Sequence, residues 1–335
     1  MSDTASSILL LRRMACAAAI SLLPAASVLA QAANLRLINE YPAASITASA
    51  DLRFAASTAR MSNGEVAVTT LQEAANPYKG RDQVAAVSEG RAEIGTLFAG
   101  ILGGSDPFFL LSSLPFLVDG FEQAQALFTC TRPELERHLA ALNLRLLYAT
   151  PWPPSGIWSA RPVADIAALK ALDIRTYDDN SRGVFQRVGA RSANLPFSAL
   201  VAKLASGELN AALSSGDGGA GNRLWDHLGH FTAISYAIPL SYTVVNLETW
   251  NRLTPQQQAA LTRAAQATEQ ESWSIVKNRI QENYARMSEH GMRLDLEPAA
   301  EVRQALRKAG QEQADGWWPQ QDPDRALRTR CMPTG

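Results

Sequence analysis

Histidine and cysteine are scarce in this sequence, which limits the chemistry it can carry out. The 335 residues include four His and three Cys. His227 and His230 in "WDHLGH" stand one helical turn apart, a spacing that can hold a metal, but no third ligand accompanies them and no HExxH pattern occurs. The sequence therefore predicts no metal site. It also shows no GxSxG elbow and no base–nucleophile pair, so we predict that the protein is not an enzyme.

The glycine-rich stretch "GDGGAGN" at 216–222 is the only segment that resembles a cofactor loop. It lacks the Lys-Ser/Thr pair that follows a phosphate-binding loop. We interpret it as a turn at the end of a strand, where the glycines allow a close approach of the backbone. No cofactor is predicted.

Neither sign of charge dominates, because 31 Lys+Arg stand against 32 Asp+Glu. A chain with no basic excess is a poor candidate for binding nucleic acid or anionic lipid. We therefore expect no nucleic-acid partner.

The most apolar part of the sequence is its beginning. Arg12 and Arg13 precede "MACAAAISLLPAASVL", and "VLA" ends the stretch before Gln31. This is the layout of a secretory signal peptide over residues 1–30, and it is too short for a membrane-spanning helix. We predict export to the periplasm without direct membrane insertion. The arginine pair leaves the export route open between the general secretory and twin-arginine pathways.

Two cysteines, Cys130 and Cys331, follow the predicted signal peptide. In an oxidising compartment two such residues can form a disulfide. A bond here would hold the C-terminal tail against the body of the protein. We predict this bond, and two buried thiols are the alternative.

Alternating strand and helix patterns predict an α/β fold. "NLRLINEYP", "EVAVTTL" and "AEIGTLF" are typical of strands separated by helices, and a second set of strands and helices begins near residue 165. Between them, "PWPPSGIW" at 151–158 contains three prolines, which favour an irregular crossing segment. We predict a first domain of residues 31–153 plus about 246–285, and a second of 154–245 plus about 286–335.

A very long helix is predicted after residue 254. Thr254, Pro255 and Gln257 form a helix start with an N-cap, a proline at the first helical position and a glutamine at the third. The apolar spacing continues to Gly291. Such a helix is about 50 Å long, which is longer than one domain is wide, so it must span both.

A single arginine interrupts the apolar strand in "LKALDIRTYDD" at 169–179. Arg175 remains charged and is rarely buried without a partner. The nearby Asp173, Asp178 and Asp179 could neutralise it within the protein. Alternatively, its planar fork binds the carboxylate of a ligand at the carboxyl end of the strand, where ligands of parallel α/β sheets bind.

The ordered segments "AAVSEGRAEIGTL", "LSSLPFLVDGFEQAQALF", "ALKALDIRTYD", "VGARSANLPFSALVAKLASGELNAALSS" and "VVNLETWNRLTPQQQAALTRAA" resemble the DctP-type solute-binding proteins of TRAP transporters. The resemblance covers essentially the whole chain after residue 30. It implies a type II-like periplasmic binding protein fold, with a cleft between two domains, hinge strands and one long helix. It also implies a monomer that delivers its ligand to the membrane subunits of a transporter.

The resemblance also implies a set of ligand-binding residues. An arginine that binds the substrate carboxylate in the family corresponds to Arg175, and a stacked phenylalanine corresponds to Phe197. The other expected cleft residues are Glu40, Tyr41, Phe98, Trp152, Trp158, Ser214 and Ser215. Trp158 stands where some relatives have a second arginine, and Phe98 replaces a polar contact. These departures favour a monocarboxylate with an aromatic or branched apolar body over a dicarboxylate or a sugar acid.

The sequence thus predicts a periplasmic receptor that binds a small organic acid for transport. Two alternatives remain open at this point. In the first, the same cleft serves a ligand-sensing subunit of a signalling system. In the second, which the sequence favours less, the protein is a periplasmic enzyme.

Overall fold

The computed structural model describes residues 32–332 and contains two mixed sheets. The first sheet has the strand order β2-β1-β3-β10-β4. Its strands are β1 (Ala33–Asn39), β2 (Val66–Gln72), β3 (Ile94–Phe98), β4 (Leu144–Pro151) and β10 (Leu240–Asn246). Strands β1, β2 and β3 run parallel, whereas β10 lies antiparallel between β3 and β4. A strand from late in the chain therefore completes the early sheet.

The second sheet has the strand order β11-β9-β5-β8-β6-β7. Its strands are β5 (Ser155–Ser159), β6 (Asp173–Thr176), β7 (Arg191–Asn194), β8 (Ala211–Ser215), β9 (His230–Thr232) and β11 (Arg293–Asp295). Strand β6 is parallel to β7 and β8, and β5 is antiparallel to β8 and β9. We call the parts built on the two sheets the first lobe and the second lobe.

Twelve α-helices cover the sheets within residues 32–332. They are α1 (Ile46–Met61), α2 (Arg81–Ser88), α3 (Ala99–Leu102), α4 (Phe121–Ala141), α5 (Ile166–Lys170), α6 (Asp179–Arg187), α7 (Phe197–Ala205), α8 (Gly216–Gly221), α9 (Leu247–Arg252), α10 (Pro255–Glu289), α11 (Ala300–Gln321) and α12 (Ala326–Cys331). No helix in this part of the chain is both long and apolar enough to span a membrane.

The predicted long helix is confirmed as α10, which has 35 residues. Thr254 caps it by accepting the Gln257 backbone N–H, and the Gln257 side chain accepts the N–H of Thr254 in return. Its first part packs on α1 and β4, and its later part packs on α8 and β11. The helix therefore contacts both lobes.

Two chain segments cross between the lobes side by side. The first leads from β4 to β5 through Trp152, and the second leads from β9 to β10 through Pro239. They are joined by backbone bonds from the Trp152 N–H to the Pro239 carbonyl at 3.0 Å and from the Ser155 N–H to the Ala237 carbonyl at 2.9 Å. Strand β5 begins directly after the prolines of "PWPPSGIW", because a proline has no N–H to give to a central strand.

The segment "GDGGAGN" is a short helix, and the prediction of a turn is wrong. Ser215 caps α8 by accepting the Gly218 N–H at 3.0 Å. A Cβ atom at Gly219 would lie 2.1 Å from the Trp158 indole, so the missing side chain lets the helix pack directly on that ring. The glycines here serve helix packing.

The chain returns to the first lobe at its C-terminus. Trp317 of α11 donates its indole N–H to the Pro107 carbonyl at 3.1 Å. Cys331 in α12 is joined by a disulfide to Cys130 in α4, with the Cα atoms 5.6 Å apart. The bond closes a covalent loop with a sequence separation of 201 residues that passes through the second lobe.

Candidate functional site

The two lobes enclose a cavity at the carboxyl ends of β1, β3, β6 and β8. Its outer part has a volume of about 350 Å³ and is lined by Glu40, Tyr41, Phe98, Arg175 and Phe197, among others. An inner extension of about 20 Å³ continues past Arg175 to Trp152, Ser214 and Ser215. The cavity therefore contains eight of the nine residues predicted to bind a ligand.

Arg175 lies in β6 at the wall shared by both parts of the cavity, and it is only 4% exposed. Its Nε donates to the Leu195 carbonyl at 2.8 Å and its Nη1 to the Leu213 carbonyl at 3.3 Å. The Phe197 ring lies 5.1 Å from the guanidinium carbon. These contacts fix the orientation of the group but bring no negative charge to it.

The three aspartates near Arg175 in sequence are engaged elsewhere. Asp173 pairs with Arg191, and Asp179 pairs with Arg182. Asp178 caps α6, where it accepts the Ser181 N–H at 2.7 Å. Within residues 32–332 no carboxylate lies within 4.0 Å of Arg175.

The electrostatics of Arg175 follow from its burial. Burial lowers the pKa of the guanidinium, and the nearby Tyr41 and Glu40 partly oppose this effect. An arginine has so high an ordinary pKa that the group stays charged. A buried cation that lacks a countercharge is costly, and an anion bound in the cavity would remove that cost.

Aromatic side chains form much of the remaining wall. Tyr41 packs against Trp152 with ring centroids 4.7 Å apart and against Phe197 at 6.4 Å. Phe98 meets the edge of Tyr177 at 5.4 Å. Residues of this wall come from both lobes, so it is assembled only when the lobes are together.

Glu40 gives the cavity a second buried ionisable group. Its Oε2 accepts the Gly80 N–H at 3.0 Å. Burial raises the pKa of Glu40, while the Gly80 N–H and the positive charge of Arg175 act in the opposite direction. The carboxylate and the guanidinium are too far apart for a direct salt bridge, so they line the same cavity as separate groups.

Hydroxyl groups line the inner extension. Ser214 and Ser215 are each 5% exposed, and Ser155 and Tyr177 lie beside them. The Tyr177 hydroxyl is 3.3 Å from the Ser155 hydroxyl. Sequence reasoning missed Tyr177 and Ser155, although Tyr177 stands only two residues after Arg175 and Ser155 begins the strand after the crossing.

Trp158 does not line the cavity, and the expectation that it faces the ligand disagrees with the structure. Its side chain is fully buried in the second lobe. It donates its indole N–H to the Ser215 carbonyl at 3.3 Å and packs against Phe231 with centroids 5.4 Å apart. The reason is the pleat of β5, in which successive side chains point to opposite faces of the sheet.

A buried polar network holds the loop that carries Tyr41. Asp51 of α1 accepts hydrogen bonds from Asn39 at 2.6 Å, from Thr96 at 2.7 Å and from Tyr148 at 2.7 Å. Asn39 in turn accepts the Tyr41 N–H at 2.9 Å. Burial raises the pKa of Asp51 to about 6, against the lowering effect of these hydrogen bonds.

The lobes contact one another around the cavity. A Cβ atom at Gly100 in the first lobe would lie 2.8 Å from the Tyr177 carbonyl oxygen in the second. A Cβ atom at Gly80 would lie 3.5 Å from the Cβ of Pro196. The conformation described here is therefore closed over the cavity.

The described residues give no support to metal chemistry. No group of three or more His, Cys, Asp or Glu side chains within residues 32–332 is arranged to hold a metal ion. A separate crevice in the first lobe, lined by Phe108, Leu111 and Leu127 among others, contains no charged side chain. It offers an anion hydroxyl groups but no positive charge.

Two α/β lobes that close on a buried cavity define the class of periplasmic binding proteins. The chain belongs to the DctP family, bacterial extracellular solute-binding protein family 7, whose family model matches residues 39–320. This confirms both the resemblance seen in the sequence and the predicted fold class. The protein is an extracytoplasmic solute receptor of the TRAP type.

Solved structures of similar fold include DctP6, a Bordetella pertussis extracytoplasmic solute receptor binding pyroglutamic acid. It is 25% identical with a TM-score of 0.84, and the match covers 89% of this chain and 99% of that one. A TRAP solute-binding protein from a marine metagenome, specific for pyroglutamate, is 23% identical with a TM-score of 0.85 over 90% and 99% of the two chains. A protein from Roseobacter denitrificans with bound L-galactonate is 16% identical with a TM-score of 0.78 over 85% and 94%.

Proposed function

We propose that this protein captures a compact monocarboxylate between its lobes and delivers it to the membrane subunits of a TRAP transporter. The observation that carries this proposal is the buried, unpaired guanidinium of Arg175 at the cavity wall. Its free donors match the two oxygens of a carboxylate. The pair strengthens as water leaves, because charges interact more strongly at lower dielectric constant.

The body of the ligand is expected to be small and only partly apolar. Tyr41, Phe98, Trp152 and Phe197 offer apolar faces. Glu40 and the serines offer hydrogen-bond acceptors, so a wholly apolar aromatic body fits less well than a ring or branched body with an N–H or O–H group. Pyroglutamic acid, named for two of the similar structures, has this chemistry.

Binding proceeds by closure of the two lobes around the ligand. The open form admits the acid, and contacts from both lobes then stabilise the closed form. We assign residues 31–153 plus about 246–285 to the lobe that supplies Glu40, Tyr41 and Phe98, and residues 154–245 plus about 286–335 to the lobe that supplies Arg175. Two parts of the second set belong with the first lobe instead, because β10 (Leu240–Asn246) is a strand of the first sheet and α12 packs on α4. Export through a signal peptide over residues 1–30, which lie outside the described residues, would place the protein in the periplasm as a monomer.

The sensing alternative uses the same cleft with a different partner, and it is tested by the identity of that partner. The enzyme alternative needs a nucleophile beside a base in the cavity. Ser214 and Ser215 line the inner part, but no histidine lines the cavity parts described above. We therefore favour binding without reaction.

The test is calorimetric titration with a panel of acids: pyroglutamate, a branched monocarboxylate, an aromatic monocarboxylate and a dicarboxylate. The carboxamide of the best ligand is the matched control. We expect tight binding of one monocarboxylate and a loss of about 2 kcal/mol or more, roughly 30-fold in Kd, for the uncharged amide. Equal binding of acid and amide, or preference for the dicarboxylate, would contradict the proposal.

A further inference from the structure

Asp217 makes contacts that cross from one lobe to the other beside the cavity. We propose that Asp217 is a positioning residue that couples the ligand-binding loops of the two lobes and stabilises the closed form. This inference rests on the proposed function, because it assigns Asp217 a role in retaining the ligand.

The first contact joins Asp217 to the first lobe. Asp217 belongs to α8, directly after β8 of the second sheet, and its Oδ2 accepts the N–H of Ile46 at 2.8 Å. Ile46 is the first residue of α1, whose leading N–H groups have no partner within the helix. A carboxylate of the second lobe therefore caps a helix of the first lobe, where negative charge is favoured.

The second contact joins Asp217 to the helix that contacts both lobes. Arg279, in the last third of α10, donates from Nε to Asp217 Oδ1 and from Nη2 to the Ala44 carbonyl. Asn283, one turn later, donates to the same Asp217 oxygen at 3.2 Å. Three elements of the fold thus meet at one carboxylate.

The burial of Asp217 makes these contacts energetically important. It is the only carboxylate among the ion pairs of residues 32–332 whose side chain is completely buried. Nearby, a Cβ atom at Gly221 would lie 3.5 Å from Pro42 of the first lobe, so little space is left between the lobes at this point. If the lobes separate here, the Asp217 carboxylate loses the Ile46 N–H and that N–H loses its acceptor, which disfavours opening.

The place of Asp217 in the chain connects it to the cavity. It follows Ser215, which lines the inner extension, by two residues. Its partner Ile46 follows Tyr41, on the opposite wall, by five residues. The Asp217 contacts therefore fix two ligand-facing loops relative to one another without touching the cavity themselves.

The experiment uses two variants that break the contact from opposite sides. Asp217→Asn keeps the size of the side chain but removes its negative charge and turns an NH2 group toward one of its hydrogen-bond donors. Asp173→Asn is the control, because Asp173 pairs with the exposed Arg191 at the amino end of β6, whereas the cavity lies at the carboxyl end. Ile46→Pro removes the donor, and proline is tolerated at the first helical position. Ile46→Ala is its control, because it also removes the buried isoleucine side chain but keeps the backbone N–H that Asp217 accepts.

The readouts are ligand dissociation rate and lobe separation, with L-pyroglutamate as the probe. Spin labels at Leu52→Cys and Val201→Cys report the separation, because these two exposed positions lie on α1 and α7 of different lobes. We expect dissociation to be faster by on the order of tenfold or more in both variants, with wider label distances than in the controls.

Amide exchange gives a readout that needs no ligand. Because the proposed contact stabilises the closed form with or without ligand, the peptide covering residues 42–50 of ligand-free Asp217→Asn should exchange faster than in Asp173→Asn. Exchange, dissociation and distances equal to the controls would overturn the proposal for Asp217. A wild-type protein that binds no acid would overturn the proposed function, and the exchange measurement would still decide whether Asp217 joins the lobes.

Discussion

At the scale of single residues, the site depends on two buried ionisable groups with different needs. Arg175 has backbone carbonyls as its hydrogen-bond partners and needs an anion. Glu40 has one backbone N–H and can accept a further donor. A ligand with a carboxylate at one end and an N–H or O–H at the other satisfies both groups at once, which is why we expect both to determine specificity.

Replacing Arg175 tests the first of these groups. Arg175→Ala should lower ligand affinity by about 2 kcal/mol or more, because the carboxylate is left unpaired in the closed cavity. Arg191→Ala, an exposed arginine in the neighbouring strand β7, is the matched control. Calorimetry should show weak binding only for the Arg175 variant, with little change in its unfolding temperature. Unchanged affinity would end the role assigned to Arg175.

Replacing Glu40 tests the second group through pH. Because burial raises the pKa of Glu40, acidification protonates it earlier than an exposed glutamate. A ligand that donates a hydrogen bond to the carboxylate should bind more weakly as the pH falls from neutral toward the raised pKa of Glu40. Titrations of Glu40→Gln should be weaker at neutral pH and lack this dependence. If the variant keeps the same pH profile as the wild type, another group is responsible.

At the scale of elements, strand ends and close contacts determine how the lobes come together. The β1–α1 loop is held by Asn39 and Asp51, and α3 approaches the segment after β6 at Gly100. Small side chains at such points let backbone meet backbone. We therefore expect helices such as α1 and α3 to influence ligand affinity through the closing of the two lobes.

Gly100→Ala tests the contact between α3 and the segment after β6. The added Cβ would lie 2.6 Å from the Phe98 ring and 2.8 Å from the Tyr177 carbonyl oxygen. The ring can shift within the cavity wall, whereas the backbone carbonyl cannot move away unless the lobes separate. Ligand affinity should fall while the ligand-free protein stays folded. Gly229→Ala is the control, because nothing lies within 4 Å of the added atom there. Small-angle scattering of the ligand-bound protein should show a wider particle for Gly100→Ala alone.

Asp51 provides a stability test in the first sheet. Its pKa rises from 3.8 to about 6 on folding, so the native state holds a proton that the unfolded chain releases between these values. Its contribution to the free energy of unfolding should therefore fall by roughly 2 kcal/mol as the pH rises from about 4 to about 6. Urea unfolding of wild type and Asp51→Asn should diverge in this range, since the variant lacks the carboxyl group that takes up the proton.

At the scale of the whole molecule, the chain crosses between the lobes several times and is closed by a disulfide. Two adjacent segments and α10 connect the lobes, and α11 returns the chain to the first lobe, where Cys331 bonds Cys130. The bond restricts the unfolded chain over a long loop. Its effect should therefore be on stability, since it lies outside the cavity.

Removing the disulfide tests this separation of roles. Cys130→Ser combined with Cys331→Ser should lower the free energy of unfolding by about 2–5 kcal/mol. Ligand affinity should change little. The wild-type protein in reducing buffer is the control and should match the variant. A large loss of affinity with unchanged stability would show that the bond acts on the cleft instead.

The sequence by itself determined the elements and the family. The long helix followed from Thr254, Pro255 and Gln257, because capping and periodicity are local properties of the chain. The strand that carries Arg175 followed from one charge in an apolar run, whereas the place of Arg175 in a ligand-binding cleft followed from the resemblance to the DctP family. Local patterns and spacing were enough for the elements, and the ordered segments of the whole chain were needed for the site.

Only the tertiary structure decided which side chains meet. Trp158 points to the face of the second sheet opposite the cavity, whereas Tyr177 and Ser155 line the cavity. The face to which a strand residue points depends on sheet register and packing, which the sequence alone did not reveal. The fold likewise decided which groups neutralise or bind the three aspartates near Arg175. Asp173 pairs with Arg191 of the next strand, Asp178 accepts the Ser181 N–H, and Asp179 pairs with Arg182. The link between Asp217 and Ile46, which are 171 residues apart in sequence, exists only because two lobes close on each other.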